Sequence, residues 1–376
     1  MARVTVKARS PFTRTIDAEI LKEFCTEVFE SLGVMTNDAQ IISDVLVASD
    51  IRGVDSHGVA RLSRYVNDLR QGVAFPRAQA RVVHETPVTA VIDGCAALGP
   101  PVAHYAMNLA ISKAADNFLG FVAVRNSNHY GIAGYYPMMA LKHNMIGIST
   151  TNAKPAVLPT FGLQAMFGTN PISIAVPTSS ERPFVLDMAT STVAHGKIEV
   201  YERLEKPIPR GWVADTKGQL TRDPVKANKV IVGKRGGGLL PLGGIGEEMG
   251  GHKGYGLGFA VEVFSALLSG AACSDLSYQR DDKGHPLPPN IGHFFAAIRI
   301  DGFRPLPEFR RDMDALIHRI KNSRRTHGSS RIYIHGEKEY ETTERRRREG
   351  IPLNHKVVAS IRNIAKELSL EDPFSK

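Results

Sequence analysis

His57, Arg61 and Tyr65 recur every four residues in RGVDSHGVARLSRYV, and their side chains suit the chemistry of small acids. An imidazole transfers a proton near neutral pH, a guanidinium grips a carboxylate with a planar fork, and a phenol orients either of them. On a continuous helix, positions four apart stack along one side, here beside an apolar stripe of Val59, Leu62, Val66 and Leu69. Gly53 and Asp55 read as the turn and N-cap of that helix. His57 then falls in the first turn, where the positive end of the helix dipole keeps an imidazole neutral, and Ser56 adds a hydroxyl beside it. Taken alone, such a row also describes a solvated helix face behind a capping aspartate.

Four further segments carry chemistry. RNSNHYGIAGYY crowds Asn126, Ser127, Asn128, His129 and Tyr130 into a loop after an apolar strand, with Gly131 and Gly134 permitting close backbone approach. FGTNPISIAV offers Thr169 and Asn170 at the entry to a strand, and VLDMATST ends a strand on Asp187, followed by Met188 and Ala189. An aspartate there either caps a helix or faces a ligand. The glycine cluster LGGIGEEMGGHKGYGLG lacks the preceding strand, the helix start and the distant acid of a dinucleotide fingerprint, so a Rossmann reading fails. Its GHKG segment is no Walker loop, but Gly251, His252, Lys253 and Gly254 precede a helix and can hold an anion. No HExxH and no paired Cys/His spacing appears, so no metal site is expected. A Ser/His hydrolase is disfavoured, because Ser56 and His57 are neighbours and no GxSxG elbow exists.

These residues need a scaffold, and the pattern predicts a mixed α/β one. Residues 15–32, 36–49 and 56–71 read as amphipathic helices of an N-terminal helical domain over 1–75, joined by the C-terminal helix of 350–376. From residue 76 to 349 strands and helices alternate, in a mixed-sheet nucleotide-binding domain flanked by helices. A Pro/Gly-rich excursion over 206–224 holds the single tryptophan, and RIYIHGE reads as a late strand. The apolar run 255–273 contains Glu262 and four glycines, which makes it a buried helix rather than a membrane span.

At 376 residues, 43% hydrophobic and 23% charged, the chain has a globular composition. Three scattered cysteines and no apolar leader point to a cytoplasmic protein without a disulfide framework. The net charge of +9 raises nucleic acid as a partner. Roughly two thirds of that excess lies after residue 298 without interleaved aromatics, so a solvated basic face is the better reading.

In order along the chain, RGVDSHGVARLSRYV, NSNHYGIAGYYPMMA, FGTNPISIAVP, LDMATSTVAHGKI, GWVADTKGQLTRDP, LLPLGG and GGHKGYGL resemble the malate/L-lactate dehydrogenase family of nicotinamide-dependent oxidoreductases. That family lacks the Rossmann fold, and its members include ureidoglycolate, sulfolactate and 2,3-diketogulonate oxidoreductases and cyclic-imine carboxylate reductases. The resemblance implies hydride transfer between NAD or NADP, with NAD favoured, and a 2-hydroxy or 2-oxo acid. Malate/oxaloacetate or lactate/pyruvate lead, with a cyclic imine acid or ureidoglycolate as the alternative. It also implies a homodimer that binds neither nucleic acid nor membrane. By motif, Ser56, His57, His129 and Asp187 form the implied catalytic set, and Arg61, Tyr65 and His129 bind the substrate. Thr169, Asp187, Met188, Ala189, Gly238 and Leu239 are implied cofactor contacts, and Lys253 joins them on the anion-holding chemistry of its own segment. His335, Gly336 and Glu337 stand where relatives often carry Pro-Gly-Glu.

Overall fold

Runs of β-branched and small apolar residues with turn residues between them assemble the sheet at the centre of the molecule. The computed structural model describes residues 12–233 and 235–375. Strands β2 (Arg81–Glu85), β3 (Thr89–Asp93), β4 (Leu119–Ser127), β5 (Met145–Thr151), β6 (Ile172–Val176), β7 (Phe184–Met188) and β11 (Ile291–Arg299) form one sheet in the order β2-β3-β4-β11-β5-β6-β7. Within it β3 and β4 run parallel, and every other pairing is antiparallel. This is a mixed sheet, not a doubly wound parallel one. Strand β11, last in sequence, lies in the middle, and Phe295, Ala296 and Ala297 there are fully buried.

The parallel pair is bridged by α4 (Gly99–Asn117), which carries prolines in its first turn. Its inward face is Ala103, Ala106, Ala110 and Ala114, and such small side chains let it lie close to the sheet. A Cβ at Gly120 of β4 would meet Ala110 O at 2.0 Å, so glycine is required at that contact. Helix α5 (Tyr135–Leu141) shares this core through Tyr136 and Ala140.

A second core joins α1 (Ala18–Ser31), α2 (Thr36–Ile51), α3 (Leu62–Arg70) and α11 (His355–Leu368). It is built from Leu21, Phe29, Ile42, Leu46, Leu62 and Ile361. Asp17 caps α1 by accepting from Glu19 N–H at 2.8 Å, and β1 (Phe12–Ile16) pairs antiparallel with β12 (Ile351–Asn354) alongside. Helices α6 (His195–Arg203) and α7 (Pro224–Gly233) pack over a small sheet of β8 (Val213–Ala214), β9 (Leu220–Thr221) and β10 (Gly238–Leu239). Helix α8 (Gly251–Glu262) continues into a π turn, Val263–Leu267. Glu262 is buried there, accepting from Asn170 at 3.0 Å and Asn152 at 3.2 Å. Among the described residues no helix is long and apolar enough to cross a membrane.

Helices α9 (Leu306–Lys321) and α10 (Glu337–Glu349) complete the fold. RIYIHGE is not a strand: residues 331–334 are irregular, and the segment meets β7 through the carbonyl of His335, which accepts from Val185 N–H at 3.1 Å, and through the His335 ring, edge-on to Phe184. The charged run after it, which has no apolar stripe, is helical as α10. Its Arg346 is buried and ion-paired to Asp55 at 2.5 Å.

Candidate active site

Helix α2 stops at Ile51, and Gly53 reverses the chain with a φ of +81°. The segment then turns through His57 before a 3₁₀ turn, Val59–Arg61, leads into α3. His57 therefore precedes the helix instead of occupying its first turn, and the dipole argument does not apply to it. Asp55 is not the cap either. Val59 N–H donates to Asp50 Oδ2 at 2.8 Å, and Asp55 faces Arg346, which also donates to the carbonyl of Asp50. A Cβ at Gly58 would lie 2.0 Å from Asp50 Oδ1, so the turn closes only around glycine. Burial pushes the Asp50 carboxyl up to about 8, against the Val59 hydrogen bond.

The rings of His57 and His129 stack, with centroids 5.6 Å apart and planes at 14°. Tyr65, buried on α3, places its hydroxyl 2.8 Å from His129 Nδ1, and Gly131 N–H donates to the same nitrogen at 3.3 Å. Nδ1 of His129 is thus an acceptor, and the network assigns its proton to Nε2. His57 Nδ1 instead meets Ser56 Oγ at 2.9 Å. Desolvation, then the nearby Arg61 and Arg64, bring His57 down to about 3; desolvation followed by Arg64 and His57 takes His129 well below its ordinary range. Both imidazoles are neutral at pH 7. The His129 loop is anchored from below, where His293 stacks on Tyr130 at 4.7 Å and bonds Ser127 Oγ at 2.8 Å.

A cavity of about 190 Å³ opens against His57, lined by Ser56, His57 and Gly131 on one side and by Thr169, Asp187, Met188 and Ala189 on the other, with His129 stacked behind His57. His335, Gly336, Arg52 and Glu339 complete its wall. Asp187 ends β7 and accepts from Gly134 N–H at 2.8 Å; desolvation pushes its carboxyl up to about 6, although the side chain still opens into the cavity. Gly336, at a φ of +97°, brings its backbone so close to β7 that a Cβ would sit 3.1 Å from Val185 Cβ. A hydroxyl, a guanidinium, carboxylates and close-lying backbone suit a nucleotide. The volume is below the roughly 300–1,000 Å³ of a complete ligand pocket, so it fits one end of a dinucleotide.

Not every expected residue gathers here. Arg61 lies on the wall of an adjoining open pocket of about 620 Å³, where its Nη2 is 2.9 Å from Glu199 Oε2. Gly238 and Leu239 are buried in the small sheet, and Lys253 is exposed in the first turn of α8. Glu337 turns to Lys321 at 2.8 Å. None of these five borders the cavity, and neither do His129 and Tyr65, which stand behind His57. Conversely, Arg52, Glu339 and Glu199 belong to the site, and in the sequence each looks like an ordinary surface charge. Among the described residues no group of His, Cys, Asp and Glu is placed to hold a metal ion.

Residues 16–362 match the family model described as malate/L-lactate dehydrogenase. The chain belongs to the malate/L-lactate dehydrogenase family. It is 47% identical over 351 residues to a malate dehydrogenase of Pyrococcus horikoshii, covering 93% of this chain and 94% of the relative. It is 38% identical to an L-sulfolactate dehydrogenase of Methanocaldococcus jannaschii, covering 93% and 96%. The crystal structure of a malate dehydrogenase from Entamoeba histolytica superposes with a TM-score of 0.92 at 34% identity, covering 96% of this chain and 99% of that one. This family member is accordingly a nicotinamide-dependent 2-hydroxy acid dehydrogenase, and the missing dinucleotide fingerprint agrees with its mixed sheet.

Proposed function

We propose that this dehydrogenase interconverts malate and oxaloacetate, with Arg61 as carboxylate clamp and His57 as proton-transfer group. One observation carries the assignment of roles. Ser56 uses its carbonyl to hold Arg61 Nε at 2.8 Å and its hydroxyl to meet His57 Nδ1, so clamp and base are tied to the same residue. A nicotinamide held in the cavity would supply hydride exchange with C2 of the substrate. His57, neutral and facing the cavity, takes the C2 hydroxyl proton at Nε2 in oxidation and returns it in reduction. His129 keeps its own proton on Nε2 and serves as a hydrogen-bond donor to the substrate. Thr169, Asp187, Met188 and Ala189, with the backbone of His335 and Gly336, are the residues that would hold the cofactor.

Two features favour a dicarboxylate over lactate. Two relatives at 45–47% identity are named malate dehydrogenases. The pocket beside Arg61 also carries Arg64, Arg203 and Lys356 among the carboxylates of Asp68, Glu199 and Glu202, so it offers cations to a second acidic group. The same setting supports sulfolactate as the second reading. NAD is preferred to NADP on the carboxylates of Asp187 and Glu339, which oppose an added phosphate dianion. A second copy of the chain is proposed to cover the exposed apolar side chains of α8 and its π turn, among them Phe259 at 52% and Leu267 at 57% exposure. The free cysteines Cys25, Cys95 and Cys273 support a reducing, cytoplasmic setting. The test is absorbance at the nicotinamide band with NADH and NADPH against oxaloacetate, pyruvate, sulfopyruvate and a cyclic imine acid. Highest kcat/KM with NADH and oxaloacetate is expected; preference for pyruvate or the imine acid overturns the substrate assignment. Light scattering of the eluted protein tests the dimer.

A further inference from the structure

Arg61 has two edges that can take a carboxylate with paired hydrogen bonds, and both are in use. Nε, which every side-on fork needs, donates to the carbonyl of Ser56 at 2.8 Å. The terminal edge is filled by Glu199: Nη2 lies 2.9 Å from Oε2 and Nη1 donates to Oε1 at 3.4 Å. Glu199 sits on α6, whose first turn abuts the guanidinium so closely that a Cβ at Gly196 would fall 2.6 Å from Arg61 Nη2. The guanidinium thus has no free fork for a substrate carboxylate. Glu199 is well suited to the place: desolvation pushes its carboxyl up, but the guanidinium of Arg61 and, less, that of Arg203 outweigh it and hold the carboxyl below its ordinary range.

One turn further along α6, Arg203 lines the same open pocket and has no ion-pair partner among the described residues. Positions four apart on a helix bring a glutamate and a following arginine together. A carboxylate displaced from Arg61 therefore has a second cation within reach of its own helix.

We propose that Glu199 stands in for the substrate carboxylate on Arg61 in the substrate-free enzyme, and that binding is an exchange in which Glu199 passes to Arg203. This rests on the reading of Arg61 as the clamp. No bond is made or broken; one carboxylate replaces another, so Glu199 sets substrate affinity without touching the reacting atoms. The arrangement differs from a glutamate that merely orients Arg61, and the two assign opposite signs to the same variant.

The test is steady-state kinetics with oxaloacetate on Glu199→Gln, Arg203→Met, the double variant and Arg61→Lys. Removing the competing charge is expected to lower KM roughly three- to ten-fold, the change falling on KM more than on kcat. Arg203→Met is expected to raise KM in the parent and to leave it unmoved in the Glu199→Gln background. A higher KM in Glu199→Gln makes Glu199 an orienting group and overturns the exchange. So does an unchanged KM while Arg61→Lys raises it, an outcome that spares the proposed function. If Arg61→Lys leaves KM unchanged, the clamp reading itself falls and the exchange with it. A crystal structure of the protein with oxalate gives a readout free of turnover. Glu199 on Arg203 supports the exchange, and Glu199 still on Arg61 beside bound oxalate rejects it.

Discussion

The two ends of the segment from Asp50 to Arg61 are held in opposite ways. At its start, Asp50 is 1% exposed, caps the 3₁₀ turn and sits against Gly58, with buried Arg346 crossing from α10 to Asp55 and to the Asp50 carbonyl. At its end, Arg61 and Glu199 keep 16% and 27% of their side chains accessible and line an open pocket. A buried hydrogen-bonded network has no cheap alternative arrangement, whereas an ion pair on the wall of an open pocket can trade one carboxylate for another. The difference teaches a division of labour. The position of His57 is fixed by burial, and the availability of Arg61 is set by an exchangeable contact. Substitutions in the first half are therefore expected to act on stability and kcat, and those in the second on KM.

The largest effect is expected from Gly58→Ala. Its Cβ would meet the Asp50 carboxylate at 2.0–2.3 Å, and either the cap or the turn must give. A loss of about 3 kcal/mol or more is expected in urea unfolding. A loss below about 1 kcal/mol would show that the turn is plastic and end the contrast with Arg61. His57→Ala comes next, with a fall of about 100-fold or more in kcat and a smaller change in KM. His129→Ala is expected to fall less in kcat and more in substrate affinity. The reverse order would give His129 the proton-transfer role.

The contrast between the two halves was only partly legible in the sequence. Amphipathic periodicity marks α1, α2 and α4, and strand patterns mark β3 to β7, because burial of one face leaves a repeat in the chain. The loop of His129 and the turn of Thr169 are likewise legible as polar clusters at strand ends. By contrast, α10 is hidden in a run of charges, since what holds it is one buried arginine reaching Asp55 across 291 residues. Spacing alone placed His57 on a continuous helix with Asp55 as its cap, and a 3₁₀ turn capped by Asp50 took that place. Glu199 lies 138 residues from Arg61, so nothing local announces their pairing. Contacts between distant charges leave no period in a single sequence.

Asp50 gives a third test of the fixed half. Its carboxyl titrates near 8 in the folded protein, above the value of about 3.9 in an unfolded chain. The native state therefore holds the proton more tightly. Stability from this group is complete below the unfolded value and is lost as pH rises through the folded one, becoming flat above it. Asp50→Asn keeps an acceptor for Val59 N–H and carries no such proton. Between pH 6 and 9 the parent is expected to lose on the order of 2 kcal/mol relative to the variant, read from urea midpoints at both pH values. Parallel pH curves would mean that Asp50 is ionised in the fold and that its contacts with the turn are charged.

The smallest effect is expected at Tyr65, four residues beyond the end of the segment on α3. Burial pushes its phenol above its ordinary value, so it stays protonated throughout the pH range of assays and acts only as a hydrogen-bond donor. Its hydroxyl meets His129 Nδ1, but Gly131 N–H donates to the same nitrogen, so the tautomer survives the loss of one donor. Tyr65→Phe is expected to lower kcat by less than about ten-fold, in line with the roughly 0.5–1.5 kcal/mol of one neutral hydrogen bond. A fall as large as that of His57→Ala would mean that protons pass through Tyr65 and His129. His57 would then be the substrate ligand, and the fixed half of the segment would serve binding rather than proton transfer.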